Sequence, residues 1–170
     1  MVVKAKNLNL KKINLNLVFI FCIILFFVSL SACVNPIQKP FSTFTDSGEP
    51  ICKTDGKPNV FMFSTSWCSH CQWIGPAFEE VAQEYMNAGK IQAIHWELDK
   101  EDDALTAIKE EEVPAMHLII FTHFSPDAGV PVFVFGCRYY RIGTAFEHEN
   151  NLEKEKQEFR KVIDKLLEES

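Results

Sequence analysis

Short apolar runs alternate with amphipathic stretches along residues 59–170, and their order predicts a fold. The run at 59–64 carries no charge, which is typical of a strand buried on both faces. From the cysteines that follow to about Ala88, apolar positions recur at helical spacing, and Gly89 is placed to end that helix. The stretch 91–99 predicts a second strand.

The pattern then predicts more helix and a hairpin. Residues 102–111 are expected to form a helix that ends before Pro114. Residues 114–124 fit a short helix or a strand, and the apolar residues grouped on one side favour the helix. The runs at 130–136 and 138–143 are close enough in sequence to pair as a hairpin.

A final amphipathic helix is predicted over residues 152–167. The order of elements indicates the α/β class, with a central mixed sheet of about four strands between helical layers. Proline, glycine, serine and threonine are frequent in residues 34–55, which predicts a tether. Residues 56–170 are therefore expected to form the folded domain.

The first 33 residues have the layout of an export signal. Four lysines and no acidic residue precede an apolar run that starts at Leu15. A core helix is the alternative, but no polar face interrupts residues 17–28. The motif "LSAC" resembles the lipobox of prokaryotic lipoproteins, which implies lipidation at Cys33. An uncleaved membrane anchor is the competing interpretation. Both place the domain outside the cytoplasm, attached to the membrane.

Composition narrows the class of protein. Apolar residues make up 47% and charged residues 24% of the chain, as in a globular domain. The net charge of −6 argues against a nucleic-acid partner. An exported domain can keep disulfides, and four cysteines allow three pairings. Outside the signal, where Cys22 and Cys33 lie, the cysteines are Cys52, Cys68, Cys71 and Cys137.

The pair Cys68 and Cys71 opens the first predicted helix. Unpaired N–H groups and the helix dipole at that end favour a thiolate at Cys68. Cys71 lies one turn further along, close enough to form a disulfide with it. The spacing therefore indicates a redox couple, in which one sulfur attacks a substrate disulfide and the other resolves the mixed disulfide.

A metal site is the alternative for these cysteines, because thiolates and imidazoles are soft ligands. No second Cys-x-x-Cys or His-x-x-x-His completes a tetrahedral set. We therefore expect no metal and no bound cofactor. The histidines that could have joined such a site are His70, His95, His117 and His123.

The stretch "FMFSTSWCSHCQWIGP" resembles the active-site strand, cysteine motif and helix of the thioredoxin superfamily, with Pro76 at the family's helix proline. "GVPVFVFG" resembles the loop with the family's cis-proline, and "YYRIGT" its last strand and turn. The resemblance covers roughly residues 56–170. It implies a three-layer fold in which Cys68 is the nucleophile and Cys71 the resolving thiol.

The same resemblance implies that Pro131 is the cis-proline and that the backbone of Val130 binds a substrate strand. Pro114 is the rival position, because its distance from Asp99 suits a compact family member. We prefer Pro131, since the apolar strand and hairpin follow it. That choice requires an insertion around residues 114–126.

Two positions depart from the family pattern. Met62 stands where many thioredoxins bury an acid, and Glu97 is a conceivable substitute, although a surface glutamate is the simpler interpretation. The Ser-His pair between the cysteines is more similar to oxidase and isomerase relatives than to reducing thioredoxins. A protonated His70 would stabilise the reduced pair. Trp67 is assigned, with His70, to the residues that tune the pair, and can also contact substrate.

In the implied fold, the first core strand and the strand after the cis-proline are antiparallel neighbours. Cys52 precedes the first and Cys137 follows the other, so both lie at the sheet end away from the active site. We expect a structural disulfide between them, and two unpaired cysteines are the alternative.

These features predict an extracytoplasmic thiol–disulfide oxidoreductase that exchanges disulfides with exported proteins and is reset by an unidentified redox partner. Oxidation or isomerisation is favoured over reduction, and a reducing role, such as preparing cytochrome c apoproteins, stays open. The alternative is a non-catalytic thioredoxin-fold binding module that acts as a chaperone or metal carrier.

Overall fold

The computed structural model describes residues 41–170. The predicted export signal, with Cys22 and Cys33, lies outside these residues. Among residues 41–170, no helix has the length and apolar character needed to cross a membrane. The strands are β1 Thr45–Asp46, β2 Lys53–Thr54, β3 Lys57–Ser64, β4 Gln92–Glu97, β5 Asp102–Asp103, β6 Val132–Phe135 and β7 Tyr139–Ile142. The helices are α1 Ser69–Asn87, α2 Ala115–Phe124 and α3 Leu152–Glu168, with a 3-10 turn at Glu147–Glu149.

The strands form a mixed sheet in the order β1-β7-β6-β3-β4-β5, with β2 paired to β3. β3 and β4 are parallel, whereas β6 runs antiparallel to both β3 and β7. The predicted α/β class, mixed sheet and β6–β7 hairpin are confirmed. The helix predicted over residues 114–124 is confirmed as α2, which packs on one face of the sheet.

The two faces of β3 belong to two different cores. Val60 and Met62 pack with α1 and α3 on one face. Phe61 and Phe63 pack with α2 on the other. This alternation follows from the two-residue period of a strand, and it places Ser64 on the α1 side. The sheet is therefore buried between helical layers on both faces, as its apolar sequence predicts.

The prediction of a helix over residues 102–111 is wrong. After β5 the chain forms an irregular loop in which acidic side chains bind backbone N–H groups. The Asp103 carboxylate accepts the N–H groups of His95 and Leu105, at 2.8 and 3.0 Å. Asp102 accepts the N–H of Glu110 at 3.1 Å. Aspartates that bind nearby backbone in this way compete with helix formation, so helical spacing alone misleads here.

Residues 41–55 belong to the folded domain, whereas the sequence indicated a tether there. Phe41 and Phe44 are buried in the core beside α3. The Glu158 carboxylate on α3 accepts the N–H groups of Ser42 and Thr43, at 2.6 and 2.8 Å. The isolated aromatic residues of this segment therefore act as anchors within an otherwise polar stretch.

Cys52 and Cys137 form a disulfide, with their Cα atoms 5.5 Å apart. Cys137 lies in the hairpin turn between β6 and β7, where it and Gly136 both have positive φ angles. Such a conformation matches the twist of a hairpin. The Cys52 N–H donates to the carbonyl of Gly136 at 2.9 Å, so the segment before β3 is tied to this turn twice.

Replacing both Cys52 and Cys137 with serine should lower the free energy of unfolding by about 2–4 kcal/mol, because the crosslink closes a long loop. The cysteines are 85 residues apart in sequence. Urea unfolding of the oxidised protein and of the double variant measures the difference. An unchanged midpoint would contradict the prediction. Thiol reactivity at Cys68 serves as the control and should not change.

Candidate active site

Cys68 is the residue that caps the N-terminus of α1. Its Sγ atom accepts the N–H of Cys71 at 3.3 Å. Its own N–H donates to the carbonyl of Thr65 at 3.2 Å, which turns the chain from β3 into the helix. Cys68 and Cys71 are the free cysteines of the described residues, and both are buried. The motif therefore holds two thiols within one helical turn.

The turn before Cys68 is fixed by side chains from two elements. Ser66 donates its N–H and its hydroxyl to the carboxylate of Asp99, at 2.8 and 2.5 Å, just beyond β4. Gln72 on α1 donates to the Ser66 carbonyl at 2.6 Å. The hydrogen bonds from Ser66 hold the pKa of Asp99 below its usual value. Hydrogen bonds to Asp99 and from Gln72 thus fix the turn that precedes the cysteine motif.

The loop before β6 lies against Cys68. The Cys68 Sγ atom is 3.8 Å from the carbonyl oxygen of Val130. The Val130–Pro131 bond is the cis peptide of the described residues. Pro114, the rival position, instead caps the N-terminus of α2. The structure thus brings Val130 and Pro131 to the cysteines and keeps Pro114 at a helix start.

The two tryptophans of the motif differ in exposure. Trp67, directly before Cys68, is 73% exposed, which is unusual for so large an apolar side chain. Trp73 is half-buried, and its indole N–H donates to Asn150 at 3.2 Å. Only the first of them offers an apolar surface beside the thiols.

His70 pairs with a carboxylate that the sequence did not indicate. Its Nδ1 atom lies 2.7 Å from Glu147 Oε2, and the Thr144 hydroxyl donates to the same oxygen at 2.8 Å. Burial raises the pKa of Glu147, but the hydrogen bonds from Thr144 and His70 outweigh it and leave that pKa below its usual value. The histidine between the cysteines therefore has a carboxylate as its hydrogen-bond partner.

The two thiols differ in their surroundings. Burial, and next a hydrogen bond with Cys68, raise the pKa of the Cys71 thiol to about 12. Cys71 is consequently a neutral thiol at physiological pH. A resolving role for Cys71 requires the loss of this proton.

A cavity of about 100 Å³ lies behind Cys71. Met62, which stands where many thioredoxins bury an acid, is fully buried in the apolar core and does not line the cavity. Glu97 is half-buried at the cavity, where its carboxylate pairs with Lys100 at 2.9 Å. The polar side chains that line the cavity are Ser64, Thr65, Ser66, Gln72, Glu79, His95 and Glu97.

Sequence reasoning did not single out Ser64 or Glu79, and it considered His95 only as a metal ligand. A signal for Glu79 was present, since Cys71, Gly75 and Glu79 follow each other at intervals of four on one helix face. For His95 and Ser64, only strand alternation was available. Strand alternation predicts the face of the sheet on which a side chain lies, but not the side chain that it contacts.

The other histidines lie apart from the cysteines. His117 accepts the indole N–H of Trp96 at 3.0 Å, and burial lowers its pKa. His123 lies 3.3 Å from Glu49. Within residues 41–170, no three His, Cys, Asp or Glu side chains are grouped as a metal site.

The thioredoxin family model matches residues 45–123, which include both cysteines of the motif. A thioredoxin-like protein of Synechocystis is 32% identical over 72 residues, which cover 39% of this chain and 64% of that protein. A thioredoxin of Borreliella burgdorferi is 30% identical over 63 residues, or 37% of this chain and 52% of its own length. The chain thus spans less than two thirds of each relative.

No solved structure matches the chain. The family model and the two relatives support the thioredoxin superfamily. The mixed sheet with helices on both faces is a thioredoxin-like fold.

Proposed function

Starting from a thioredoxin-like fold, we propose that this protein is an extracytoplasmic thiol–disulfide oxidoreductase that exchanges disulfides with exported proteins through Cys68 and Cys71. The observation that carries the proposal is the cap geometry, in which the Cys68 sulfur accepts the N–H of Cys71 at the start of α1. A donor at this place stabilises a thiolate, and the thiolate is the nucleophile of disulfide exchange.

The reaction needs two exchanges. The Cys68 thiolate attacks one sulfur of a substrate disulfide, the substrate S–S bond breaks, and the other substrate sulfur leaves as a thiolate. Cys71 then attacks the Cys68 sulfur, forms the enzyme disulfide and releases the second substrate thiolate. The enzyme dithiol loses two electrons and the substrate disulfide gains them. In the oxidising direction, the same steps run in reverse.

Substrate is expected to bind at the loop before β6 and at Trp67. The backbone of Val130 lies against the attacking sulfur, so a substrate strand paired with it would bring its cysteine to Cys68. The exposed indole of Trp67 supplies apolar contact with an unfolded chain. Neither the Val130 backbone nor the Trp67 indole recognises a particular substrate sequence. Such contacts suit a protein that binds many substrates.

The attachment to the membrane rests on the first 33 residues, which lie outside the described structure. Their lysines, apolar run and "LSAC" motif support export and lipidation at Cys33. The disulfide between Cys52 and Cys137 is consistent with an oxidising compartment. An envelope redox partner would then reset the active-site pair.

The direction of electron flow is set by the stability of the reduced pair, and we propose oxidation or isomerisation. This role predicts a reduction potential for the Cys68–Cys71 couple of roughly −180 to −120 mV, whereas a reductase would lie near about −270 mV. Equilibration with glutathione buffers, followed by thiol trapping, measures the potential. A value near that of reducing thioredoxins would contradict the proposed direction.

Two variants of the His70–Glu147 pair should shift this potential in opposite directions. Glu147→Gln removes the negative charge that pairs with His70 in the cysteine motif and should raise the potential by on the order of 10–30 mV. His70→Ala removes an imidazole whose protonated form would favour the Cys68 thiolate, and it should lower the potential by a similar amount. Glu149→Gln is the matched control, because that carboxylate pairs with Lys154 instead. Shifts of the same sign in both variants would contradict the charge argument.

A further inference from the structure

Three buried or half-buried polar side chains form a chain of hydrogen bonds behind Cys71. The hydroxyl of Ser64 lies 2.8 Å from Nε2 of His95, and the His95 Nδ1 atom lies 2.9 Å from Oε1 of Glu79. These residues come from β3, β4 and α1, and they meet only because β3 and β4 pair under the helix. All three also line the cavity that Cys71 lines.

The cavity is suited to water. Its volume of about 100 Å³ exceeds the space that one water needs. The Thr65 hydroxyl at its wall is buried and has no hydrogen-bond partner among the described residues. A buried hydroxyl without a partner is costly, and a water in the cavity would satisfy it. Cys71 and Ser64 line the same cavity as Thr65.

The environment of His95 accommodates both of its protonation states. When Nδ1–H of the neutral ring donates a hydrogen bond to Glu79, Nε2 carries no proton and accepts a hydrogen bond from the Ser64 hydroxyl. When Nε2 gains a proton, it can donate to Ser64 Oγ instead. The Ser64 proton then turns to the carbonyl of Trp96, at 3.2 Å. Neither state leaves a buried polar atom without a partner, which is what a proton relay requires.

The chain leads from the interior toward solvent. The His95 side chain is 6% exposed and that of Glu79 is 38% exposed, so Glu79 connects the buried imidazole with bulk water. Met62 occupies the place of the family's acid and cannot take a proton. Some other group must therefore deprotonate Cys71, which burial holds in its thiol form.

We propose that Ser64, His95 and Glu79 form a proton relay that deprotonates Cys71 through water in the cavity. This inference rests on the proposed function. The Cys71 proton passes by water to Ser64 Oγ, the Ser64 proton moves to His95 Nε2, and the imidazolium is stabilised by Glu79. The Cys71 sulfur attacks the Cys68 sulfur, and the substrate thiolate leaves. In the reverse direction, His95 returns a proton to Cys71 as its sulfur leaves.

Other charges also face the relay. The Asp103 carboxylate accepts the backbone N–H of His95 at 2.8 Å, and burial raises the pKa of Asp103. Glu97, with Lys100, lies at the cavity on the same strand as His95. Together with Glu79, these are the acidic groups that the described residues place around His95.

The relay can be tested on the full-length chain in detergent with the disulfide of nitrothiobenzoate. Attack by Cys68 releases the first coloured thiolate, and attack by Cys71 on the mixed disulfide releases the second. His95→Gln should slow the second release at neutral pH by roughly tenfold or more and leave the first unchanged. Glu79→Gln, at a partly exposed position, should also slow the second release.

The pH profile separates a relay from a structural role. In His95→Gln, hydroxide must deprotonate Cys71, so the second release should rise about tenfold per pH unit, and the wild-type rate should rise less steeply. His117→Gln, a histidine behind the other face of the sheet, is the control. Unchanged second releases in the His95 and Glu79 variants, or equal slowing of both releases, would overturn the relay. The absence of a first release in the wild type would instead overturn the proposed function.

Discussion

The Cys68→Ser variant should have no measurable disulfide exchange, either in the reduction of insulin or in the refolding of a reduced, disulfide-containing protein. A serine hydroxyl is not ionised at neutral pH, so no nucleophile would remain at the start of α1. We expect a loss of at least about a thousandfold in rate, since the activated nucleophile supplies the first bond. The wild-type protein measured in parallel gives the reference rate.

The Cys71→Ser variant should behave differently, because its Cys68 can still attack. It should accumulate mixed disulfides with its substrates, which nonreducing electrophoresis detects as adducts. The double variant of Cys52 and Cys137 is the matched control and should keep its turnover at temperatures where it remains folded. If Cys68→Ser retained exchange activity, or if the wild type had none but prevented aggregation, the non-catalytic chaperone would be the better assignment.

The Glu155→Gln variant should lose about 3–5 kcal/mol of folding stability, the largest effect expected away from the thiols. Glu155 on α3 is fully buried and accepts a hydrogen bond from Arg141 at 2.8 Å. Burial lowers the pKa of Arg141, and Glu155 opposes that shift. A neutral amide would leave the guanidinium charge buried without its counterion. Thermal unfolding should show a fall in Tm on the order of 10 °C or more.

Glu153→Gln is the matched control for this prediction. Glu153 lies on the same helix, is exposed and is 4.0 Å from Arg160, so its loss should change stability by less than about 1 kcal/mol. Replacing Arg141 with methionine and Glu155 with leucine in one variant should restore much of the loss, because the guanidinium charge is removed together with its counterion. An unchanged Tm in Glu155→Gln would mean that the pair is hydrated.

The same carboxylate supports the active site indirectly. Its Oε1 atom accepts the N–H groups of Ala145 and Phe146, at 2.7 and 2.8 Å. Glu147, the partner of His70, follows directly in the chain. Some effect of Glu155→Gln on the reduction potential is therefore expected even at temperatures where the variant is folded.

Local patterns carried enough information for most of the fold. The apolar run of β3 and the helical spacing of α1 and α3 agree with the observed elements, because burial of these segments reinforces their intrinsic preferences. The cysteine motif could be predicted equally well, since all its residues lie within one turn of a helix. The loop after β5 was misread, because Asp103 stabilises a local structure that periodicity does not report.

Contacts distant in sequence could not be predicted. His70 meets Glu147 across 77 residues, and Ser64 meets His95 across 31. Each contact depends on which elements the fold brings together, and the residue types involved are common on protein surfaces. The sequence therefore indicated where the sulfurs lie, whereas the groups that would set their charge and move their protons required the three-dimensional arrangement.

The two outer strands of the main sheet, β1 and β5, are each only two residues long. A long edge strand leaves backbone N–H and C=O groups unpaired, and another chain can pair with them and begin a fibril. A protein that handles unfolded polypeptides is constantly exposed to such chains. The outer strands themselves offer such a chain only two residues each, so a client held beside Val130 would gain little by adding to either of them.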